Sequence, residues 1–270
     1  MKGILKHDLY SGICCLFTKI LTFSLIFFFE GTRAVTLARL KEIGNISFFE
    51  NLTYVFYGCK PFVNLAEAGE VFSMPIIWMV IQFYLAYIIG GYPLNDMKQY
   101  GINLLVRTKS RTKWWFGKVI WGVLITTVTY MAGYLVVLLV TLLTGGSIVG
   151  MRPEAAILYN DDFSMFNNAQ MALIVFVFPL ITAISVSILQ MALMFLFNEV
   201  IAYAMVVFLC VAGVFYESPF LLSSNSMAAR SMNMILNNSY AMVIAGSLIL
   251  IIVSIIIGAF TIRKKNIYDN

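Results

Sequence analysis

Histidine occurs once in these 270 residues, at His7. That scarcity excludes a histidine-built metal site and the HExxH arrangement of an intramembrane protease, both of which need more than one imidazole. Charge is nearly as sparse: 11% of residues are Asp, Glu, Lys or Arg, against about a quarter in soluble domains. Four cysteines make no disulfide framework, because Cys14, Cys15 and Cys210 fall in or near apolar runs and leave Cys59 alone in a loop. No GxxxxGK[ST] loop occurs. Gly117-Lys118 lacks both the upstream glycine and the following hydroxyl residue, so the chain does not bind ATP by that loop. Acids within the apolar runs are almost missing, whereas proton- and ion-coupled carriers are built around them. Glu199 comes nearest, and a tight hairpin at the membrane surface explains it without any coupling role.

What is abundant is hydrophobic. Apolar residues make up 61% of the chain and mean hydropathy is +0.88, which implies an all-α integral membrane protein of several spans. The apolar runs are continuous rather than alternating in ten-residue segments, so a β-barrel is excluded. Topology accounts for the net charge of +5, and nucleic acid is not an expected partner.

Residues 92–118 organise the topology. This long polar stretch lies between two apolar runs and holds six of the eighteen basic residues (Lys98, Arg107, Lys109, Arg111, Lys113 and Lys118) against one acid, Asp96. A basic block beside a span, with Trp114, Trp115 and Trp121 at the boundary, marks a cytoplasmic face with indoles at headgroup level. From that orientation six spans follow, at about residues 13–29, 71–90, 119–143, 169–197, 200–216 and 241–262. The basic N-terminal segment, residues 1–12, is expected to lie in the interface as a helix, followed by an uncleaved first span in which Lys19 snorkels. Residues 30–69, 145–168 and 217–239 form outer loops. The first should carry short helices on the headgroup layer. The third is too apolar for water (Met227, Met232, Met234, Phe220, Leu221) and should fold into re-entrant or interfacial helices. The proposed inner segments hold eleven Lys and Arg and the outer loops six, as positive-inside retention requires. All 270 residues form a single membrane domain with both termini cytoplasmic.

Within the spans, Pro179 should kink the fourth. Gly122, Thr126, Thr129 and Gly133 recur at spacings of 4, 3 and 4, placing small residues on one face of the third span. This is a packing seam whose partner lies in this chain or in another. Gln82 and Gln190 either line a substrate path or hydrogen-bond across a helix contact. Asn45 and Asn51 each begin an Asn-x-Ser/Thr triplet, a pattern that often occurs by chance.

This layout resembles the permeases of ABC-2-type transporters: a basic interfacial N-terminus, six spans, a basic loop after the second, almost no loop between the fourth and fifth, and a semi-apolar loop before the sixth. The stretch GINLLVRTKSRTKWWFGK, residues 101–118, is similar to such permeases from Gram-positive bacteria. The resemblance implies a permease paired with a second permease chain, alike or different, above two separate ATPase subunits that hold ATP and Mg. It implies a coupling helix in the loop after span two, which maps to Asp96, Tyr100, Leu104, Leu105 and Arg107. The alternating Lys109, Arg111 and Lys113, with Trp114 and Trp115, would then anchor that loop at the membrane interface. The expected activity is export of a hydrophobic or amphipathic substrate (a peptide, a lipid or a drug), with no catalytic, cofactor or metal residue in this chain. The alternative is a membrane immunity or assembly protein that sequesters a ligand without transporting it.

Overall fold

The computed structural model describes residues 2–60, 72–97, 110–159, 161–216, 221–237 and 239–264. The described residues are helical and contain no strand. The principal helices are α1 (Lys2–Leu40), α2 (Phe48–Phe56), α3 (Ile76–Ile89), α4 (Tyr92–Asp96) and α5 (Arg111–Leu143). They are followed by α6 (Ala156–Tyr159), α7 (Asn168–Ala172), α8 (Phe178–Leu196), α9 (Glu199–Phe215), α10 (Ala228–Leu236) and α11 (Tyr240–Lys264). Five segments are long and apolar enough to cross a membrane: Leu16–Leu40, Ile76–Leu94, Arg111–Leu143, Asn168–Leu196 and Tyr240–Lys264. The chain is therefore a multi-pass helical membrane protein. Helix α9 is apolar but shorter, at 17 residues.

Helix α5 is the axis. It packs along α1 on one side and on α8 and α11 on the other, and α8 packs in turn on α11 and α9. Buried rings fill the space beside it. Phe56 stacks on Tyr130 with centroids 6.1 Å apart, Phe27 meets the edge of Phe56 at 5.6 Å, and Phe176 meets Tyr134 at 4.9 Å. Offset and edge-on pairs of this kind add to the area they bury.

The helices alternate between two ends of the bundle. At the cap end, α1 and α5 finish together, with Arg39 Nη2 donating to the carbonyl of Thr144 at 3.4 Å. At the basic end, α5 begins beside the last turn of α11, where Arg111 Nη1 donates to the carbonyl of Arg263 at 3.2 Å.

Several expected boundaries move, each for a local reason. Helix α1 is continuous from Lys2, with no break after Gly12, so a separate interfacial helix does not form. It also runs eleven residues past Phe29, through what reads as loop. Over that extension Ala34, Val35 and Ala38 are buried while Arg33, Thr36 and Arg39 are exposed, an amphipathic period that hydropathy alone does not register. The change at Phe29 is real as chemistry: Phe17, Leu21, Leu25, Phe28 and Phe29 are exposed and apolar before it, and the exposed side chain Arg33 follows. Helix α5 starts at Arg111 rather than near residue 119, because Ser110 caps it, its hydroxyl accepting from the amide of Lys113. In the fourth run, a π-helical turn, Leu173–Val177, leads directly into Pro179. The Phe178 N–H reaches back five residues to the carbonyl of Leu173, which is how the chain accommodates the missing proline donor.

The loops at the cap end fold into the bundle rather than over lipid. Helix α2 begins with a capping box in which Ser47 and Glu50 satisfy each other's backbone amides. Eight of its nine residues are buried, so this short helix packs into the bundle instead of lying exposed on its surface. Glu50, fully buried, accepts from Arg152 Nε at 3.2 Å and from the Arg152 amide at 2.8 Å, joining the first and second loops. That contact holds the Arg152 guanidinium above its usual range, chiefly through the hydrogen bond from the guanidinium to the Glu50 carboxylate. Asn51 is fully buried and donates to Thr141 Oγ1 at 3.0 Å, so its sequence triplet is not a glycosylation site. The third loop does fold inward, as a 3-10 turn (Leu222–Ser226) and α10, and residues 223–231 are all buried.

Candidate functional site

At the cap end a cavity of about 420 Å³ opens where α1, α2 and the start of α3 meet. Its size falls within the range of small-molecule sites, about 300–1,000 Å³. Glu30 and Arg33, one turn apart on α1, line it as a loose pair 3.7 Å apart. Glu30 is held in the wall with a side chain 11% exposed, whereas that of Arg33 is 58% exposed and free to turn outward. Tyr54 and Trp78 supply rings to the wall, and Met74 and Ile76 stand at its rim, 53% and 65% exposed. Burial pushes the Tyr54 phenol above its usual range, with Arg33 opposing, so it remains a protonated donor at neutral pH. The site sits where the exposed surface of α1 turns from Phe28 and Phe29 to Arg33. Chemically it offers an acid, a base and hydroxyls beside an apolar lip.

A hydrogen-bonded floor holds this end together. Trp78 Nε1 donates to Ser226 Oγ at 2.8 Å and Gln82 Nε2 donates to the same atom at 3.1 Å. Gln82 therefore joins α3 to the inward-folded third loop. Gly58, at φ +73°, lets the chain after α2 pass over Met227, which a Cβ there would strike. Arg230, 1% exposed, donates to the carbonyls of Gly213 (2.6 Å), Val214 (2.7 Å) and Cys59 (3.3 Å). It thus closes the C-terminus of α9, where backbone dipoles favour a cation.

At the basic end, Asp96 is buried and pairs with Lys118 at 2.7 Å, with the lysine fully enclosed under the rings of Tyr92 and Trp114. Asp96 is consequently an internal anchor rather than an exposed contact. Tyr100, Leu104, Leu105, Arg107 and Lys109 lie outside the described residues. Of the expected interface anchors, Lys113 is exposed and Arg111 half-buried. Trp114 and Trp115 are fully buried, both packing edge-on against Phe195. Trp115 also donates to the carbonyl of Ile255 at 2.9 Å and fills the gap left by Gly258. These indoles fasten α5 to α8 and α11, because the small residues of α11 leave room for them. Lys19 does not simply snorkel: its ammonium lies over the ring of Tyr87, 4.2 Å from the centroid.

The seam on α5 has its partners within this chain. A Cβ on Gly122 would strike the Met191 side chain, and one on Gly133 would press the Phe27 ring. Thr126 Oγ1 donates to Ser187 Oγ at 3.1 Å, and Thr129 is buried and bonds within its own helix. Gln190, fully buried, donates to the carbonyl of Ala86 at 2.9 Å and braces the last turn of α3. Glu199 begins α9, exposed in its first turn, where a carboxylate is favoured by the helix dipole.

Sequence reasoning missed the Glu30–Arg33 pair and the enclosure of Lys118. The first had a signal, an acid and a base three residues apart at the end of an apolar run. The second had only a lysine four residues after a tryptophan, which does not distinguish an enclosed ammonium from a retained surface charge.

Fold and site together define a multi-pass helical bundle with a polar cavity at its cap end. The chain belongs to the family described as protein of unknown function (DUF2705), whose model matches residues 44–268. No curated protein and no solved structure matches the chain.

Proposed function

We propose that this chain is the permease subunit of an ATP-driven exporter in the cell membrane, moving a hydrophobic or amphipathic substrate such as a peptide, lipid or drug. In this reading α9 is a sixth crossing, both termini are cytoplasmic, and a second permease chain and two ATPase subunits complete the complex. ATP and Mg reside on the ATPases.

The observation that carries the reading is the tethering of the basic link, residues 98–109. On one side, α4 is held by the buried Asp96–Lys118 pair. On the other, Ser110 caps α5 and Arg111 grips the end of α11. A force that reaches either of these anchored ends is passed to α3, α5 and α11. The exposed apolar faces of α5 and α11, including Leu135, Leu139, Ile249 and Ile256, leave room for a second permease and for lipid.

The experiment is affinity purification of the ATPase with wild type and with Tyr100→Ala/Leu104→Ala, alongside substrate-stimulated ATP hydrolysis in reconstituted membranes. Apolar hot-spot truncations cost about 2 kcal/mol or more, so the double variant should lose at least tenfold in association while inserting normally. If it retains both association and coupled hydrolysis, or if the wild type captures no ATPase, the transport reading fails and ligand sequestration takes its place.

A further inference from the structure

We infer that the cavity between α1, α2 and α3 is a binding site for the headgroup of a zwitterionic phospholipid, with Arg33 receiving the phosphate and Glu30 the amine. The inference rests on membrane placement and not on the transport reading. It stands or falls without an ATPase.

Four observations converge on that class of ligand. The first is charge. Among the described residues the cavity wall carries one acid and one base, 3.7 Å apart, a pair that a ligand presenting both signs can open. Arg33 is the mobile partner, since its side chain is 58% exposed, and its planar fork suits phosphate oxygens. Glu30 is fixed, with a side chain only 11% exposed.

The second is the uncapped first turn of α3, which lines the same cavity with no side chain satisfying its amides. That turn adds a favourable field for the phosphate already paired with Arg33. The third is position. The exposed face of α1 is apolar through Phe28 and Phe29 and turns polar at Arg33, so a bilayer whose apolar layer covers the first stretch brings its headgroups to the charged pair. The fourth is the lip: Met74 and Ile76, 53% and 65% exposed, give the cavity an apolar rim that acyl chains can meet.

A long peptide would require an extended groove, whereas this is one compact cavity of about 420 Å³. A neutral amphiphile would leave the Glu30–Arg33 pair without a role.

The test uses the full chain in neutral detergent and native mass spectrometry. The probes are phosphatidylethanolamine, phosphatidylglycerol and diacylglycerol of matched acyl chains, added singly. The wild type should retain phosphatidylethanolamine in preference to phosphatidylglycerol and hold diacylglycerol least. Arg33→Ala should weaken retention of both phospholipids about tenfold, with Arg33→Lys intermediate. Glu30→Gln should abolish the preference for the amine headgroup while leaving phosphatidylglycerol bound.

Ser73→Trp, an exposed position in the cavity wall, should block retention without changing either charge. Because Ser73 is exposed, its substitution should not lower the melting temperature, whereas Arg33→Ala leaves the buried Glu30 unmatched and is read beside Arg33→Lys, which keeps the charge. Equal retention of diacylglycerol and phosphatidylethanolamine by the wild type overturns the proposal. So does undiminished retention by both Arg33→Ala and Ser73→Trp. Displacement of bound phosphatidylethanolamine by a cationic amphipathic peptide, but not by excess soluble glycerophosphoethanolamine, assigns the cavity to peptides and overturns it as well.

Discussion

Among the described residues, two cations are fully enclosed at opposite ends of this bundle, and they are accommodated by different means. Lys118 at the basic end meets a carboxylate, Asp96, at 2.7 Å under two aromatic faces. Arg230 at the cap end is met by backbone carbonyls, those of Gly213 and Val214 in the last turn of α9 and that of Cys59. The lysine presents a compact point charge that one acid can match. The arginine spreads its charge over a planar fork that reaches several carbonyls, at a helix terminus where the dipole already favours it. One device locks helix to helix, and the other ties an irregular loop to a helix end. An irregular segment at depth needs this second device because its own backbone groups cannot find water.

The largest effect should come from separating the ion pair. Lys118→Met leaves Asp96 buried and unmatched, and unfolding in detergent should become easier by about 3–5 kcal/mol. The double variant Lys118→Met/Asp96→Leu should recover most of that loss. A double variant no better than the single one would show that Lys118 matters for packing and not for charge.

Arg230→Met should cost less, about 2 kcal/mol, since it strands carbonyls rather than a carboxylate. Hydrogen exchange should then rise in α10 and at the end of α9 but not in α5. If both ends loosen equally, the two devices are not independent.

Overpacking the seam should follow. Gly133→Leu drives a side chain into the Phe27 ring and should destabilise by about 1–3 kcal/mol, with α1 loosening from α5. An unchanged melting temperature would mean that the close approach of these helices is incidental.

The smallest effect concerns Cys59, which touches the Arg230 cage. Burial pushes its thiol above the ordinary value of 9.0, with the Arg230 charge opposing. A group raised on folding contributes fully below its unfolded value and loses that contribution as pH rises past it. Melting temperature should therefore fall as pH passes about 9, less steeply in Cys59→Ala, and the wild-type thiol should resist maleimide at pH 7. Rapid labelling of Cys59 at pH 7 would show that the cap end opens readily.

Much of the helical frame was legible. Three of the later runs, 169–197, 200–216 and 241–262, differ from the observed helices by only one or two residues at their ends, because continuous apolar runs bounded by polar residues mark helix limits locally. The small residues from Gly122 to Gly133 stand out in the sequence because their helical spacing is a local pattern. Their partners do not, because Met191 and Phe27 are distant in sequence. The expected roles of Trp114 and Trp115 failed for a related reason. An indole near a charge run looks alike whether it faces headgroups or Gly258 on another helix.

By itself, then, the sequence determined that this chain is a helical multi-pass membrane protein, where most of its long helices run, and where its positive charge collects. Those properties follow from composition and from near-neighbour spacing along one helix. Only the tertiary structure decided that α2 and the third loop turn inward, that Asp96 belongs to Lys118, that Gln82 meets Ser226, and that Glu30 and Arg33 face a cavity. Each of these depends on which helix faces which, and that is set by side-chain fit between segments as many as about 150 residues apart.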